Sequence, residues 1–330
     1  MQYRTLGRTD IEVSTVAMGC WAIVGDGTWG PQDEQDAIDA IRAALDAGIT
    51  FFDTAEAYGD GDSEKLLARG LADQRDRAVI ASKVSPSNLN AADLRRACER
   101  SLKHLGTDYI DLYQVHWPNW DVPIDETFGA LEKLRDQGKI RAIGVSNFGP
   151  KDLSEAINQA RIESNQVAYN LLLRGVEHGI QPMCAEHGIA ILPYSPLAQG
   201  LLTGKFRTAD EVPEGRARTR HFAADRPQAR HGEPGCERET FAAIDGIRAV
   251  SARIGQPMGR VALAWLLHQP AVASVLAGAR NPAQARENAQ AADVTLSDEV
   301  LRELDELTQP VKRHLGANPD PWQPAETRMR

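Results

Sequence analysis

Four polar side chains that could transfer a proton end or follow short apolar runs of this sequence. Asp53 lies in ITFFDTA, Lys83 in VIASKV and His116 at the end of YIDLYQVH, so neighbouring members are 30 and 33 residues apart. Tyr58 follows Asp53 by five residues. Such a period is typical of one strand and one helix, and strands of a (β/α)8 barrel open on the same face. The spacing therefore predicts that the four side chains meet on one rim.

Together the four residue types indicate proton delivery to a carbonyl oxygen. A phenol with a pKa near 10 donates poorly at neutral pH unless a cation lowers that pKa, and Lys83 would be the cation beside Tyr58. Asp53 would keep the lysine charged, and His116 would hydrogen-bond the substrate oxygen. Each residue alone also has an ordinary explanation as a helix cap or a core side chain. Their joint placement favours the catalytic interpretation.

Eight apolar runs alternate with amphipathic stretches, as in an α/β protein with a parallel sheet. Residues 3–6 and 11–13, separated by GRTD, predict a β-hairpin that plugs the barrel floor. We therefore expect a (β/α)8 TIM barrel formed by residues 1–330 as one domain. The eight predicted strands are TVAMG, ITFFDTA, AVIASKV, YIDLYQVH, IRAIGVSN, SNQVAYN, IAILPYS and VASVLAGA.

Bulk properties favour a small-molecule partner. The 330 residues suit one barrel with an insertion, and a net charge of −9 disfavours nucleic acid or an anionic membrane as partner. The N-terminal residues have no apolar signal core, and no apolar run approaches the roughly 20 residues that span a bilayer. These features predict a cytoplasmic protein. They say nothing about its oligomeric state.

The cysteines and histidines give no sign of a metal or a disulfide framework. No C-x-x-C, H-x-H or H-E-x-x-H spacing occurs, so we expect reduced, structural cysteines and no metal. Cys20, next to Trp21, is either a buried small hydrophobe or a reactive thiol near the barrel mouth.

Four sequence blocks resemble the signature segments of the aldo-keto reductases. They are FFDTAEAYG at 51–59, ASK at 81–83, QVHWP at 114–118 and GVSNF at 144–148, and the resemblance extends to about residue 310. It implies NAD(P)H-dependent reduction of an aldehyde or ketone, or the reverse oxidation, by direct hydride transfer. Tyr58 would then be the acid, with Lys83 and Asp53 tuning it and His116 orienting the carbonyl.

Later strand ends offer a site for the nicotinamide end of such a cofactor. Ser146, Asn147 and Gln166, with Asn170 nearby, carry amides and a hydroxyl that can pair with a carboxamide, and the Tyr194 ring can stack on a flat heterocycle. The resemblance implies these same roles. Capping of the following helices is the ordinary alternative for the Asn and Ser residues.

Two further segments suit the phosphates and the adenosine. Residues 195–205 offer glycines for close backbone approach and a lysine, and residues 278–288 open a helix with backbone amides and an arginine. The resemblance places the adenosine at the second segment, where Lys, Ser and Arg of the best-known members are replaced by Gly278, Ala279 and Gln284. The expectation of NADP(H) therefore depends mainly on Arg280, and NAD(H) remains an alternative. The predicted contacts are Ser195, Leu197, Gly200, Lys205, Gly278, Arg280, Gln284, Glu287 and Asn288.

Residues 207–238 are rich in Arg, Pro and Gly and lack apolar periodicity, which predicts an irregular loop on the cofactor side of the barrel. Arg216, Arg218 and Arg220 could hold a phosphorylated cofactor, or the loop could simply be solvated. GDGTWG at 25–30 matches a dinucleotide-binding pattern, but it does not directly follow its strand, and the helix after it begins with acidic residues. We therefore expect a bending rim loop there instead.

Tryptophans on rim loops predict an aromatic substrate mouth. Trp21, Trp29 and Trp117 are the candidate substrate contacts, unless they are core residues. Trp120 lies near them, and Trp322 lies on the C-terminal tail, residues 309–330, which could fold over the mouth. Additional polar contacts from Asn119, Asp121 and Arg174 would favour sugar-like or small polar aldehydes.

Two other functions are compatible with the same barrel. A cofactor-binding regulatory subunit with little turnover, like the potassium-channel β subunits of the family resembled here, would keep most of the site. A sugar-phosphate isomerase would use the loop arginines, but it gives no role to Tyr58 and Lys83.

Overall fold

The computed structural model describes residues 1–25, 28–323 and 328–330. Asp26 and Gly27 of the GDGTWG pattern lie outside the described residues. The strands are β1 Tyr3–Thr5, β2 Glu12–Ser14, β3 Val16–Gly19, β4 Phe51–Asp53, β5 Val79–Val84, β6 Ile110–Val115, β7 Ile140–Ser146, β8 Ser164–Ala168, β9 Ala190–Tyr194 and β10 Val275–Gly278. The helices are α1 Glu34–Asp46, α2 Asp62–Leu71, α3 Ala91–Leu105, α4 Ile124–Asp136, α5 Pro150–Ile157, α6 Ile180–His187, α7 Glu237–Arg253, α8 Met258–Leu267, α9 Pro282–Ala289 and α10 Asp298–Leu315.

Eight strands form a parallel sheet in the order β10-β3-β4-β5-β6-β7-β8-β9. The two edge strands approach each other where the Ile191 amide donates to the Ala271 carbonyl at 2.7 Å, and Ile191 bridges to Val272. The sheet is therefore a nearly closed barrel with helices around it. This confirms the predicted (β/α)8 fold and all eight predicted strands.

The predicted hairpin is also present. Strands β1 and β2 pair antiparallel, with Tyr3 opposite Ser14. Leu6, Ile11 and Val13 are buried in one apolar cluster with inward side chains of the barrel such as Phe51. The hairpin lies directly before β3, so it fills the amino-terminal end of the barrel and leaves the opposite end for chemistry.

Alternation along the strands stacks a polar layer on this apolar floor. Ala81 and Lys83 lie two residues apart on β5, and Leu112 and Gln114 do the same on β6, so each pair points to the same side. The lower members belong to the inner apolar cluster. Lys83 and Gln114 are neighbours in register and fully buried. A rigid floor therefore positions the polar residues above it.

The last helix is longer than the sequence indicates. Helix α10 continues through Pro310 to Leu315, so the tail begins at Gly316 rather than at residue 309. Buried side chains recur every three or four residues along it, including Leu304, Val311 and Leu315, and this amphipathic packing outweighs the missing amide of the proline. The long loop is irregular apart from the short turn Ala209–Glu211, and it ends at Cys236, since α7 begins at Glu237.

All four cysteines are buried. Burial raises the pKa of Cys98 and Cys184 to about 12 and that of Cys236 to about 11, and it raises the pKa of Cys20 as well. A buried thiol that stays protonated is a poor nucleophile. Of the two interpretations of Cys20, the structure therefore favours the small buried hydrophobe.

None of the helices in the described parts of the chain is long and apolar enough to cross a membrane. The cytoplasmic location stays a prediction.

Candidate active site

A cavity of about 770 Å³ opens at the carboxyl ends of the barrel strands. Its wall includes Asp53, Tyr58 and His116, and the fully buried Lys83 contacts Asp53 and Tyr58 from outside the wall. The other sequence-predicted residues in the wall are Ser146, Asn147, Gln166, Tyr194, Ser195, Leu197, Gly200, Lys205, Gly278, Arg280, Gln284, Glu287, Asn288, Trp21, Trp29 and Trp117. The structure thus brings the predicted catalytic residues, most predicted cofactor contacts and the three predicted tryptophans to one cavity.

The Lys83 ammonium connects the proton-transfer residues. Its Nζ lies 2.6 Å from Asp53 Oδ1, 2.9 Å from the Thr54 carbonyl and 3.1 Å from Tyr58 Oη. Three donors on one ammonium thus meet three oxygens, and Lys83 has no exposed surface. Because the phenol oxygen accepts from Lys83, that bond does not use the phenol's own proton, which remains available for a ligand in the cavity.

The pKa of Tyr58 differs from the sequence expectation in its net direction. Burial raises the pKa of Tyr58 more than the charge of Lys83 lowers it, so the phenol is protonated at neutral pH. For Lys83 itself, burial lowers the pKa, but the nearby Asp53 and Tyr58 outweigh this and raise it. Lys83 therefore has the expected effect on the phenol, yet it moderates a raised pKa instead of producing a lowered one. A protonated Tyr58 next to a charged Lys83 is suited to donate.

His116 completes the set at the cavity wall. Its ring lies 5.7 Å from the Tyr58 ring, centre to centre, in an edge-to-face arrangement. Burial and then the positive charge of Lys83 lower the pKa of His116 to about 3. The imidazole is therefore neutral at assay pH and can donate one ring N–H to a carbonyl oxygen.

This lowered pKa predicts an acid-sensitive fold. Between the unfolded value near 6.5 and about pH 3, the unfolded state binds more protons at His116 than the folded state does, so stability falls as the pH falls through this window. In His116→Asn, we expect the slope of unfolding free energy against pH there to decrease by up to about one proton. Urea melts at several pH values measure this slope, and replacement of the exposed His178, in His178→Asn, is the control. An unchanged slope in His116→Asn would contradict the prediction.

The second Asp53 oxygen reveals a residue that the sequence analysis missed. Asp53 Oδ2 accepts from Gln166 Nε2 at 2.7 Å and from Gln114 Nε2 at 3.2 Å. Gln114 lies two residues before His116 on the inward face of β6, and that spacing was the available signal. Both carboxylate oxygens of Asp53 are therefore hydrogen-bonded inside the barrel.

The expected carboxamide residues form a connected group. Asn147 Nδ2 donates to the His116 carbonyl at 3.0 Å, and its Oδ1 accepts from Tyr194 Oη at 2.8 Å. Ser146 Oγ donates to the Gln166 carbonyl at 2.9 Å. Asn147 also has a φ of 62°, a left-handed conformation that is strained for most residues but tolerated by Asn. The bond between Tyr194 Oη and Asn147 Oδ1 therefore ties the Tyr194 ring to this group.

The segment after β9 combines backbone strain with positive charge. Ser195, Ala198 and Gln199 have φ values of 50°, 47° and 54°, a concentration of left-handed residues that occurs mainly at functional sites. A Cβ placed on Gly200 would lie 3.1 Å from Lys205 Nζ, and Arg216 lies beside it. The glycine therefore allows two cations to approach the chain, as a pyrophosphate site needs.

At the far end of the cavity, Arg280 holds the rim loop after β3. Its guanidinium donates to the Trp29 carbonyl at 2.7 Å, to Gln32 Oε1 at 2.7 Å and to the Pro31 carbonyl. Its backbone amide donates to Gln284 Oε1 at 2.9 Å. Arg280 thus faces the predicted adenosine end while it also fixes the loop that carries Trp29.

Glu287 has a partner that the sequence analysis did not identify. It forms two hydrogen bonds with Arg260, at 2.7 and 2.6 Å. Arg260 lies at the start of α8, and residues 257–260 belong to the cavity wall.

Tryptophans surround the mouth as predicted. Trp21 stacks on Tyr58 with ring centres 6.2 Å apart, and Trp29 meets Trp21 edge-on at 5.5 Å. From the tail, Trp322 lies nearly parallel to the Tyr194 ring, with an angle of 10° between the planes. The tail therefore folds over the mouth, as expected.

A family model decides what kind of protein has this site. It describes the Aldo/keto reductase family and matches residues 15–309. The chain belongs to the aldo/keto reductase family.

Individual relatives are similar over most of their length. The aldo-keto reductase YhdN of Bacillus subtilis is 35% identical over 94% of each chain. The NADH-specific methylglyoxal reductase of Escherichia coli is 34% identical over 93% of this chain and 98% of its own. An aldo-keto reductase from Klebsiella pneumoniae, solved in complex with NADPH, is 32% identical with a TM-score of 0.74, over 93% of this chain and 96% of its own.

One loop arginine of this aldo/keto reductase has a different role from the expected one. Arg216 and Arg218 line the cavity, but Arg220 is buried outside it. Its guanidinium donates to the carbonyls of Leu315 and Asn318 at 2.8 and 3.1 Å. Arg220 therefore anchors the tail and is not a phosphate ligand. A buried arginine can satisfy several tail carbonyls at once, and the sequence gives no sign of such pairing.

The expected polar substrate contacts lie elsewhere in this aldo/keto reductase. Arg174 is buried against Glu177, with Nε 2.7 Å from Glu177 Oε1, outside the cavity wall. Asn119 and Asp121 bond each other within their loop, where the Asp121 amide donates to Asn119 Oδ1. Neither residue lines the cavity. The prediction of substrate contacts by these three residues was therefore wrong.

Trp120 and Asn170 also differ from the expectation. Trp120 Nε1 donates to Asp152 Oδ1 at 3.0 Å, away from the mouth. Asn170 donates to the Ser195 carbonyl at 3.0 Å and accepts from the amides that follow it, so it shapes the strained segment rather than the cavity wall. A new mouth residue, Arg328 of the tail, lies 4.0 Å from the centre of the Trp117 ring.

The cavity wall suits a nicotinamide dinucleotide. Gln199 is buried, and among the described residues no group hydrogen-bonds either end of its side-chain amide, so a bound ligand could satisfy it. Lys205 and Arg216 lie beside Gly200, where phosphates could bind, and the Tyr194 ring is held by its hydrogen bond to Asn147.

Proposed function

We propose that this aldo/keto reductase reduces aldehydes or ketones to alcohols with NAD(P)H, or catalyses the reverse oxidation. The observation that carries the proposal is the position of Lys83 Nζ within hydrogen-bonding distance of both Asp53 and Tyr58. A general acid needs its proton aimed at the substrate oxygen and a charge that favours its release. The three residues supply both at the wall of a cavity large enough for a cofactor and a small substrate.

Each residue of the set has one task in the proposed mechanism. The cofactor, when bound, supplies a hydride to the carbonyl carbon. Tyr58 donates its proton to the carbonyl oxygen, and Lys83 stabilises the phenolate that remains. Neutral His116 donates an N–H to the same oxygen and orients it. Asp53 acts through Lys83 and is a positioning residue.

For the cofactor, we propose NADP(H) with NAD(H) as the alternative. Arg280 places positive charge at the predicted adenosine end of the cavity, which supports the form with the additional 2′-phosphate, whereas Lys205 and Arg216 lie beside Gly200, where the pyrophosphate of either form would bind. The relatives differ, since the Klebsiella structure holds NADPH and the E. coli enzyme is NADH-specific. The preference therefore rests on Arg280.

Removing Arg280 should affect NADPH more than NADH. In Arg280→Ala, we expect the Kd for NADPH to rise by about tenfold more than that for NADH, because only NADPH carries the additional 2′-phosphate. Fluorescence titration with both cofactors measures this, and Arg280→Lys is the matched control that keeps the charge. An equal loss for both cofactors would show that Arg280 only holds its loop.

For the substrate, we propose small polar or sugar-like aldehydes. Indole faces of Trp21, Trp29 and Trp117 suit sugar rings and short carbonyl compounds, and Arg328 adds a polar group at the mouth. The name of the E. coli relative, a methylglyoxal reductase, gives one small polar carbonyl to include in a panel.

A regulatory subunit with little turnover is the second candidate, and a panel assay separates it from the enzyme. The absorbance of the reduced cofactor at about 340 nm is followed with methylglyoxal, glyceraldehyde and aryl aldehydes. Carbonyl-dependent loss of absorbance supports the reductase. Tight cofactor binding without any loss would support the regulatory subunit.

A further inference from the structure

Gln114 crosses the barrel interior to reach two site residues. It has no exposed surface, and its Nε2 donates to Asp53 Oδ2 while its Oε1 accepts from Gln166 Nε2 at 3.3 Å. Gly144 on the neighbouring strand leaves room for it, because a Cβ there would lie 2.9 Å from Gln114 Cγ. The sequence thus provides both the amide and the space that it needs.

The bonds of Gln166 define which way its amide points. Its Nε2 donates inward to two acceptors, Asp53 Oδ2 and Gln114 Oε1. A carboxylate and an amide oxygen cannot donate, so the opposite orientation would place acceptor against acceptor. The NH2 group of Gln166 is therefore held inside the barrel, and its Oε1 remains for the cavity that Gln166 lines.

We infer that Gln114 is a positioning residue that, together with Asp53, fixes the direction of the Gln166 amide, so that the cavity offers an acceptor to a ligand N–H. The inference rests on the proposed function in that the ligand group is the carboxamide of a nicotinamide cofactor. A carboxamide NH2 can donate a hydrogen bond to this acceptor, whereas the methyl group of a methyl ketone in its place cannot. Gln114 thus contributes to recognition of the carboxamide group without touching the cofactor.

Binding of two cofactor forms to variant proteins tests this inference. The probes are NADP⁺ and its 3-acetylpyridine analogue, in which a methyl group replaces the amide NH2. We expect the unmodified protein to bind NADP⁺ about tenfold more tightly, the value of roughly one hydrogen bond. In Gln114→Met, which keeps the shape but loses both bonds, Gln166 Nε2 keeps only Asp53 Oδ2 as an acceptor, so this ratio should fall below that of the unmodified protein. Tryptophan fluorescence gives the two Kd values.

The control is Leu112→Met, two residues earlier on the same inward face, which should leave the ratio unchanged. Gln114→Asn keeps the amide but shortens its reach, so it should reduce the ratio as well and serves if Gln114→Met does not fold. A purely structural role would weaken both probes equally. A ratio unchanged in the Gln114 variants, or a ratio of one in the unmodified protein, would overturn the inference.

Failure of the proposed function would look different. A protein that distinguishes the two probes but reduces no carbonyl would contradict the enzyme while leaving the role of Gln114 intact. A protein that reduces carbonyls without distinguishing the probes would support the enzyme and contradict the role of Gln114.

Discussion

Tyr58→Phe is expected to lower kcat by about 10³-fold while cofactor binding is retained. The change removes a single oxygen, the one that accepts from Lys83 at 3.1 Å and carries the proton for the substrate. The remaining ring keeps its stacking on Trp21, so the cavity keeps its shape. The loss should therefore fall on the chemical step and not on the Kd of the cofactor.

Steady-state kinetics and fluorescence titration measure the two quantities separately. Tyr3→Phe is the matched control, because its phenol donates to the Gly48 carbonyl far from the cavity and should be dispensable. Undiminished turnover in Tyr58→Phe would remove Tyr58 from the mechanism. Loss of cofactor binding together with turnover would indicate a collapsed cavity instead.

Lys83→Met is expected to reduce both activity and stability. Without the cation, the phenolate formed at Tyr58 has no positive neighbour, and we expect kcat to fall by about 10²-fold or more. Asp53 would also be left as a buried carboxylate without its ion-pair partner, which costs about 3–5 kcal/mol of unfolding free energy. Denaturant melts and steady-state assays measure the two effects.

A double-mutant cycle separates this ion pair from general damage. The variants are Lys83→Met, Asp53→Asn and the double replacement. Because either single change leaves one buried group without its partner, the double variant should be more stable than the sum of the single losses predicts. Additive losses would show that the pair contributes no coupling energy.

Much of the site could be predicted because strand ends of a barrel converge by construction. Asp53, Lys83 and His116 recur with the period of the fold, and the polar type of each side chain states its chemistry. The tryptophans of the mouth follow the same logic, since rim loops carry them. For these residues, position along the chain was sufficient to predict that they lie at the site.

Side-chain pairing between distant segments could not be predicted in this way. Arg220 bonds tail carbonyls about 100 residues away, and Arg280 reaches a loop about 250 residues away. Even a local pair was not predicted, since Arg174 binds Glu177, three residues further along the chain. An arginine pairs with whichever oxygens the fold brings near, so its sequence position does not say whether it meets a ligand or a neighbour. Gln114 did carry a positional signal, two residues before His116 on the same strand, but its bonds to Asp53 and Gln166 could not be read from the sequence.

Transfer of a labelled hydride tests the central claim most directly. The protein is incubated with NADPH deuterated at the transferable position of its nicotinamide ring and with a small polar aldehyde that it turns over, and the alcohol is analysed by mass spectrometry. Direct hydride transfer predicts one deuterium on the former carbonyl carbon of the alcohol, at an amount equal to the cofactor oxidised. Alcohol without deuterium, or no alcohol from any carbonyl of the panel, would contradict the account.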